Sequence, residues 1–247
     1  MSRPAALLFS SAAYAIFFAT FLYLIAFVGN FPLAALTLDR GGPGSPVVVA
    51  IAIDVVLIAL FGVQHSVMAR QGFKRAWTRI VPDYLERSIY VLGASAVLIV
   101  MFLFWRPIPA IIWDTTGSGF EMLIWILFAA GWLIVLLSTF LINHFELFGL
   151  QQAWFHARSR QAKAPELRHP FFYRWVAHPL YSGFFIAFWA IPTMTAGHLL
   201  FALGMSAYIL IAIRYEERDL RGLFGRDYED YRATVGMLTP KFGKRSA

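Results

Sequence analysis

A succession of apolar runs, at 6–31, 47–68, 88–105 and 121–143, constrains this chain more than any other feature. A helix needs about 20 mostly apolar residues to cross the hydrocarbon of a bilayer, and each run is of that order. Turn chemistry ends them. Pro43-Gly44-Ser45-Pro46 separates the first pair, Gly72 to Pro82 lies in the second connection, and Arg106-Pro107-Ile108-Pro109 with Gly117-Ser118-Gly119 fills the third. Soluble domains carry roughly a quarter charged residues, whereas this chain has 14% charged against 59% apolar. The bilayer is its solvent, and its 24 Phe and 8 Trp suit lipid-facing helices and interfacial belts.

Beyond a polar connection at about 144–178 come two shorter runs, 180–195 and 198–213, joined by Ala196-Gly197. A helix of that length rises only about 24 Å, so a tight helical hairpin is expected. Lys and Arg test the layout independently. The amino-terminus carries 1, the second connection 5, the fourth 5 and the tail 8, while the other side carries 1, 1 and 0. Basic residues gather in cytoplasmic loops. The bias therefore predicts an all-α integral membrane protein of the cell (inner) membrane, with six transmembrane helices, both termini cytoplasmic, and an amphipathic helix in the tail. Arg3 ahead of an apolar run resembles a signal peptide, but the run continues to Val28 without a small-residue cleavage site and reads as a retained first helix. A single domain accounts for 1–247, with a four-helix part at 1–143 and a polar, hairpin-bearing part at 144–247.

Cysteine is absent, which excludes disulfides, iron–sulfur clusters, thiolate metal ligation and a cysteine nucleophile. Sulfur chemistry must come from a ligand. The net charge of +7 fits cytoplasmic loops of a membrane protein, and no nucleic-acid partner is expected. Glu166-Leu167-Arg168-His169 has the Glu-x-x-His spacing of di-iron bundles, yet the 6 histidines are scattered without a His-x-x-His-His box, so no metal is expected. Transporters place ionisable residues near the midplane, and here only Asp54 lies well inside an apolar run. It is assigned a helix–helix hydrogen bond or ion pair, not catalysis.

Two stretches carry the polar chemistry. The first, Tyr173-Arg174-Trp175-Val176-Ala177-His178-Pro179-Leu180-Tyr181-Ser182-Gly183, enters the hairpin. Pro179 suits a first helical turn, Gly183 allows close approach of another backbone or a flat ligand, and the helix start is either an anion site or an ordinary interfacial cap. The second runs from Arg214-Tyr215-Glu216-Glu217 to Tyr231. Neighbouring helix positions diverge by about 100°, so one of Glu216 and Glu217 should face a ligand while the other finds an arginine or water. Leu220, Phe224, Tyr228 and Tyr231 form an apolar stripe at helical spacing, as an interfacial helix would.

Together, aromatic-Arg-aromatic-Val-x-His-Pro-x-Tyr-x-Gly, then Glu-Glu-x-x-Leu-x-x-x-Phe-Gly-x-x-Tyr-x-x-Tyr and a closing Thr239-Pro240, resemble the isoprenylcysteine carboxyl methyltransferase and phospholipid methyltransferase superfamily over residues 165–241. The resemblance implies S-adenosylmethionine, with S-adenosylhomocysteine as product, held near the cytoplasmic face. Residue by residue it implies Tyr173, His178, Tyr181 and Gly183 from the first motif and Glu216 and Glu217 from the second. One departure stands out: the family has Arg before His-Pro, and here it is Ala177, so the charge for the cofactor carboxylate must come from Arg174, Arg214 or Arg168-His169-Pro170.

Gln64-His65-Ser66-Val67-Met68-Ala69-Arg70 and Asn143-His144-Phe145-Glu146-Leu147-Phe148-Gly149-Leu150-Gln151-Gln152 resemble the methanethiol S-methyltransferase branch, which converts methanethiol to dimethyl sulfide. By parity both segments fall on the cytoplasmic side. What the branch implies is direct displacement: a thiolate is the nucleophile, and a neutral imidazole is a suitable acceptor of its proton. His144 or His65 could serve, with Asn143 positioning by hydrogen bonds, and proximity supplying much of the acceleration. A pocket of Phe, Trp and Leu suits a small apolar thiol. Rival readings are a lipid or isoprenylcysteine-type acceptor for the same cofactor, and a non-catalytic membrane component of a nitrogen-oxide pathway.

Overall fold

Proline begins four of the helices, because its ring fixes φ near the helical value and its missing N–H is no loss in a first turn. Pro4 and Pro179 occupy first-turn positions, while Pro46 and Pro82 stand at N-caps. The computed structural model describes residues 1–160, 167 and 169–241. In chain order these give α1 (Arg3–Val28), α2 (Val47–Ala69), α3 (Gln71–Trp77), α4 (Asp83–Phe104), β1 (Ile111–Asp114), α5 (Glu121–Ile142), α6 (His144–Leu147) and α7 (Leu150–Ala157). A 3-10 turn at Phe171–Arg174 follows, then α8 (Pro179–Trp189), β2 (Thr193–Thr195), α9 (Ala196–Phe224) and α10 (Arg226–Thr234). Glu166 and Arg168, singled out above, lie outside the described residues.

Among the described residues, five helices are long and apolar enough to cross a membrane: α1, α2, α4, α5 and α9. Their most apolar stretches are only 28–33% buried in the first four, so apolar side chains cover most of each surface, as lipid contact requires. The 180–195 run divides into an 11-residue helix, α8, and the strand β2. The expectation of a purely helical chain therefore needs one addition, a two-stranded antiparallel sheet of β1 and β2 with a bulge between Ile111 and Trp113. Strands this short, flanked by Pro107, Pro109 and Pro192, carry too few residues for alternation to register.

Contacts divide the chain into two compact units. The first comprises Met1–Asp114, His144–Lys163 and Thr193–Gly204. Within it α1 and α2 both pack on α4, and α7 lies against α1 and α4. Asp54 is fully buried here, its Oδ1 accepting the backbone N–H of Arg106 at 2.9 Å, so its partner is the chain just beyond α4 and not the other helix that was expected.

The second unit comprises Thr115–Asn143, Ala164–Pro192 and Met205–Ala247. Its core is the pairing of α5 with α8. There the two helices touch backbone to backbone: a Cβ on Gly183 would lie 2.7 Å from the Gly131 carbonyl oxygen. Trp189 Nε1–H donates to Ser206 Oγ on α9 at 3.0 Å, a link between α8 and the helix that follows β2. Gly225, with φ of +55°, then ends α9, so Leu220 and Phe224 fall on α9 while Tyr228 and Tyr231 fall on α10. The apolar stripe is thus divided by a backbone turn that glycine makes readily.

Candidate active site

The polar cluster of the second unit gathers where the 3-10 turn, α8, α9 and α10 meet. His178, 4% exposed, precedes α8, and its Nε2 lies 3.4 Å from Glu217 Oε1. Glu217 also accepts from Arg232 Nε–H at 2.5 Å and from Arg221 at 3.2 Å. Glu216 points elsewhere: its side chain is 42% exposed and accepts the Tyr181 hydroxyl at 2.8 Å. Glu217 is therefore the glutamate that finds an arginine, and Glu216 the one left with an open carboxylate. A carboxylate of that kind can meet a cationic or hydroxyl-bearing ligand.

The tail braces this cluster. Backbone N–H groups of Ala177 and His178 donate to Gly236 and Met237 carbonyls at 2.8 and 3.2 Å, and Ser182 Oγ–H donates to the Leu238 carbonyl at 2.7 Å. The residues leading into α8 are thus bound to the tail. Tyr231 O–H donates to the Tyr173 carbonyl at 2.7 Å, and the His169 ring stacks on Tyr231 at 3.7 Å. Burial first, then the Glu216 and Tyr231 charges, hold the Tyr173 hydroxyl well above its ordinary pKa. Burial raises Tyr231 to about 12, with Arg232 opposing.

Of the expected cofactor residues, Tyr173, His178, Tyr181, Glu216 and Glu217 come together here. Gly183 is buried, and the backbone it admits is that of α5. Arg174 and Arg214 are both exposed, while Ala177 is buried with its backbone bound to the tail. Sequence reasoning missed Arg232 and Arg221. Arg221 was readable, four residues after Glu217 on one helix face. Arg232 was not, because the turn at Gly225 brings it back.

The candidate proton acceptors lie otherwise. His65 and His144 both belong to the first unit, and each has its Nε2 on a tyrosine hydroxyl. Tyr90 O–H meets His65 at 2.7 Å, and Tyr14 O–H meets His144 at 2.8 Å. His144 is 5% exposed, with the Phe148 ring edge-on at 4.8 Å, and burial lowers its pKa below the ordinary imidazole value. Asn143, in the second unit, caps α5 by its N–H to the Thr139 carbonyl. Tyr14 and Tyr90 were not singled out from sequence, although a hydroxyl within an apolar run needs a partner.

No protein-family model matches the chain, and no solved structure does. Full-length relatives do. The methanethiol S-methyltransferase of Mycobacterium tuberculosis is 48% identical over 240 residues, covering 97% of this chain and 98% of that protein. Methanethiol S-methyltransferase 2 of Bradyrhizobium diazoefficiens is 46% identical over 244 residues, covering 99% and 93%. More distantly, nurim of Rattus norvegicus is 27% identical over 241 residues, covering 89% of each chain. Identity at this level over nearly the whole length means that the chain belongs to the methanethiol S-methyltransferase family.

Proposed function

We propose that this protein transfers a methyl group from S-adenosylmethionine to the sulfur of methanethiol, releasing dimethyl sulfide. The observation that carries the reading is the 45–48% identity, over most of the chain, to relatives bearing that activity in their names. S-adenosylmethionine supplies a methyl group on a positively charged sulfur, open to attack by a thiolate. The second unit's residues fit such a donor, because Glu216 offers an exposed carboxylate for its ammonium or hydroxyl groups. Tyr181 fixes that carboxylate, and His178 orients beside it, with Nδ1 3.9 Å from Glu216 Oε1. Glu217 serves the scaffold, locking α9 to α10 through Arg232. Arg174 and Arg214 are the cations offered to the donor's carboxylate in place of the residue at Ala177.

His144, kept neutral by burial, is assigned to receive the proton of the thiol, with His65 as the alternative and Asn143 positioning by hydrogen bonds. Counting α8 as a crossing gives six, and the Lys and Arg bias then leaves both termini and the α10 helix in the cytoplasm of an inner-membrane protein.

Calorimetry with S-adenosylhomocysteine on the detergent-purified protein tests the donor, and headspace detection of dimethyl sulfide with methanethiol and S-adenosylmethionine tests the acceptor. Binding together with dimethyl sulfide is expected. Binding without it moves the acceptor to a lipid or a larger thiol, and a folded protein that does not bind rejects the reading.

A further inference from the structure

His144 is bonded to a tyrosine at Nε2. It is 5% exposed, whereas Tyr14, whose hydroxyl lies 2.8 Å from its Nε2, is half-buried. A phenol is a stronger acid than a neutral imidazole, and the imidazole nitrogen is the better acceptor. Tyr14 O–H therefore donates, and the single lone pair of the neutral ring is engaged at Nε2 while Nδ1 carries the hydrogen. With that lone pair occupied, a proton reaches Nε2 by way of the Tyr14 oxygen.

We propose that Tyr14 takes the proton of the thiol on its hydroxyl oxygen while passing its own to His144 Nε2, an inference that rests on the reading of His144 as proton acceptor. The S–H bond breaks with its electron pair kept on sulfur. One O–H bond forms on Tyr14 as the other breaks, and an N–H bond forms on His144, so the phenol stays neutral and the imidazole gains a charge that it later loses to water. The setting suits a small apolar thiol: the Phe17, Phe18 and Phe148 rings stand 6.2, 6.2 and 6.1 Å from that of Tyr14.

The charged and titratable groups on the elements packed here are Arg3, Tyr14 and Tyr23 on α1, Asp83, Tyr84, Glu86, Arg87 and Tyr90 on α4, Glu146 beside His144 on α6, and His156 on α7. Arg87 Nε–H donates to the Leu147 carbonyl at 2.9 Å, Glu146 is exposed, and His156 stacks on Tyr84 at 3.6 Å. Arg87 also lies 5.1 Å over the Tyr90 ring, so a proton gained by the His65 pair would meet a neighbouring cation. That leaves Tyr14 and His144 as the better place for a positive charge.

Tyr14→Phe tests the relay in two ways. At neutral pH it should lower kcat by about 100-fold, the contribution of one positioned proton acceptor, with thiol KM and S-adenosylhomocysteine affinity unchanged. The deficit should shrink about tenfold per pH unit towards alkaline pH, where solution supplies the thiolate. Independently of turnover, nitrogen-15 spectra of histidine-labelled protein, with His144→Gln for assignment, should show His144 hydrogenated at Nδ1 in the wild type and a tautomer mixture in Tyr14→Phe. A wild-type ring hydrogenated at Nε2 overturns the relay without any variant. A full-activity Tyr14→Phe beside an inactive His144→Gln also overturns it while leaving His144 as acceptor, and a loss that is equal at every pH reduces Tyr14 to packing. A wild type that binds the donor product yet makes no dimethyl sulfide removes the function, and the relay with it.

Discussion

The two polar sites solve the problem of polarity beside a membrane in opposite ways. In the second unit one buried carboxylate, Glu217, gathers three basic partners, His178, Arg221 and Arg232. In the first unit His65 and His144 are each bonded to a neutral hydroxyl, that of Tyr90 and that of Tyr14, among aromatic rings. Charges removed from water must be fully paired, because desolvation outweighs an incomplete pairing. Neutral donors and acceptors need only one good hydrogen bond. The charged site is thus rigid but brittle to the loss of its buried partners, whereas the neutral pairs leave an imidazole able to accept a charge when chemistry requires it.

The sharpest way to break this contrast is Glu217→Ala. It strands Arg232 without its counter-charge and His178 without its hydrogen-bond partner, and removing one partner of a buried pair costs about 3 kcal/mol or more. Denaturant unfolding in detergent should show that loss. A change under about 1 kcal/mol would mean that the cluster is hydrated like a surface pair and the contrast is false.

Next in size is Gly183→Ala. The new methyl would meet the Gly131 carbonyl oxygen at 2.7 Å, and overpacking of this kind costs about 1–3 kcal/mol. Thermal unfolding should fall while S-adenosylhomocysteine affinity per folded molecule is unchanged. Loss of affinity without loss of stability would make Gly183 a ligand contact after all.

Glu216→Gln divides the charged site from within. Its carboxylate is 42% exposed and bonded to Tyr181, so stability should hardly move. Donor-product affinity should drop about tenfold, the equivalent of about 1.4 kcal/mol, read by calorimetry. Equal affinity would return Glu216 to the role of a solvated helix residue.

Much of this was legible in the sequence, and the exceptions have a common cause. The long helices could be read from 47–68 or 121–143 because spanning length and composition are local properties. Likewise, the divergence of Glu216 and Glu217 followed from helix geometry alone. The Glu217–Arg221 pair could be read from its spacing, but Arg232 could not, because it arrives only through the turn at Gly225, 15 residues from Glu217 in sequence. Tyr14 and His144 are 130 residues apart, and no periodicity links them. Pairing of β1 with β2 joins strands of 4 and 3 residues that are far apart in sequence, Ile111 opposite Thr195. Local physics wrote the helices, while the partners inside each site depend on where helices end.

The smallest effect, and the one that separates the two sites by pH, lies in their titrating groups. Burial lowers the pKa of His144, so below the ordinary value of about 6.5 the unfolded chain binds a proton that the folded chain resists. The stability it contributes is whole above that pH and is lost as pH falls through the lowered folded value. Tyr231 has the opposite sign: raised from 10.0 to about 12, it contributes stability that is whole below pH 10 and is lost as pH rises towards 12. Tyr173, raised for similar reasons, adds to that alkaline limb, and His169, lowered by its own burial, adds to the acid one. Unfolding measured across pH should therefore show an acid limb that shrinks in His144→Gln and an alkaline limb that shrinks in Tyr231→Phe, each by at most one proton. An acid limb unchanged by His144→Gln would mean that the neutral ring is not favoured by its surroundings. The Tyr14 hydrogen bond would then be holding a histidine that titrates as freely as one in water, and the division into a charged site and a neutral one would lose its electrostatic basis.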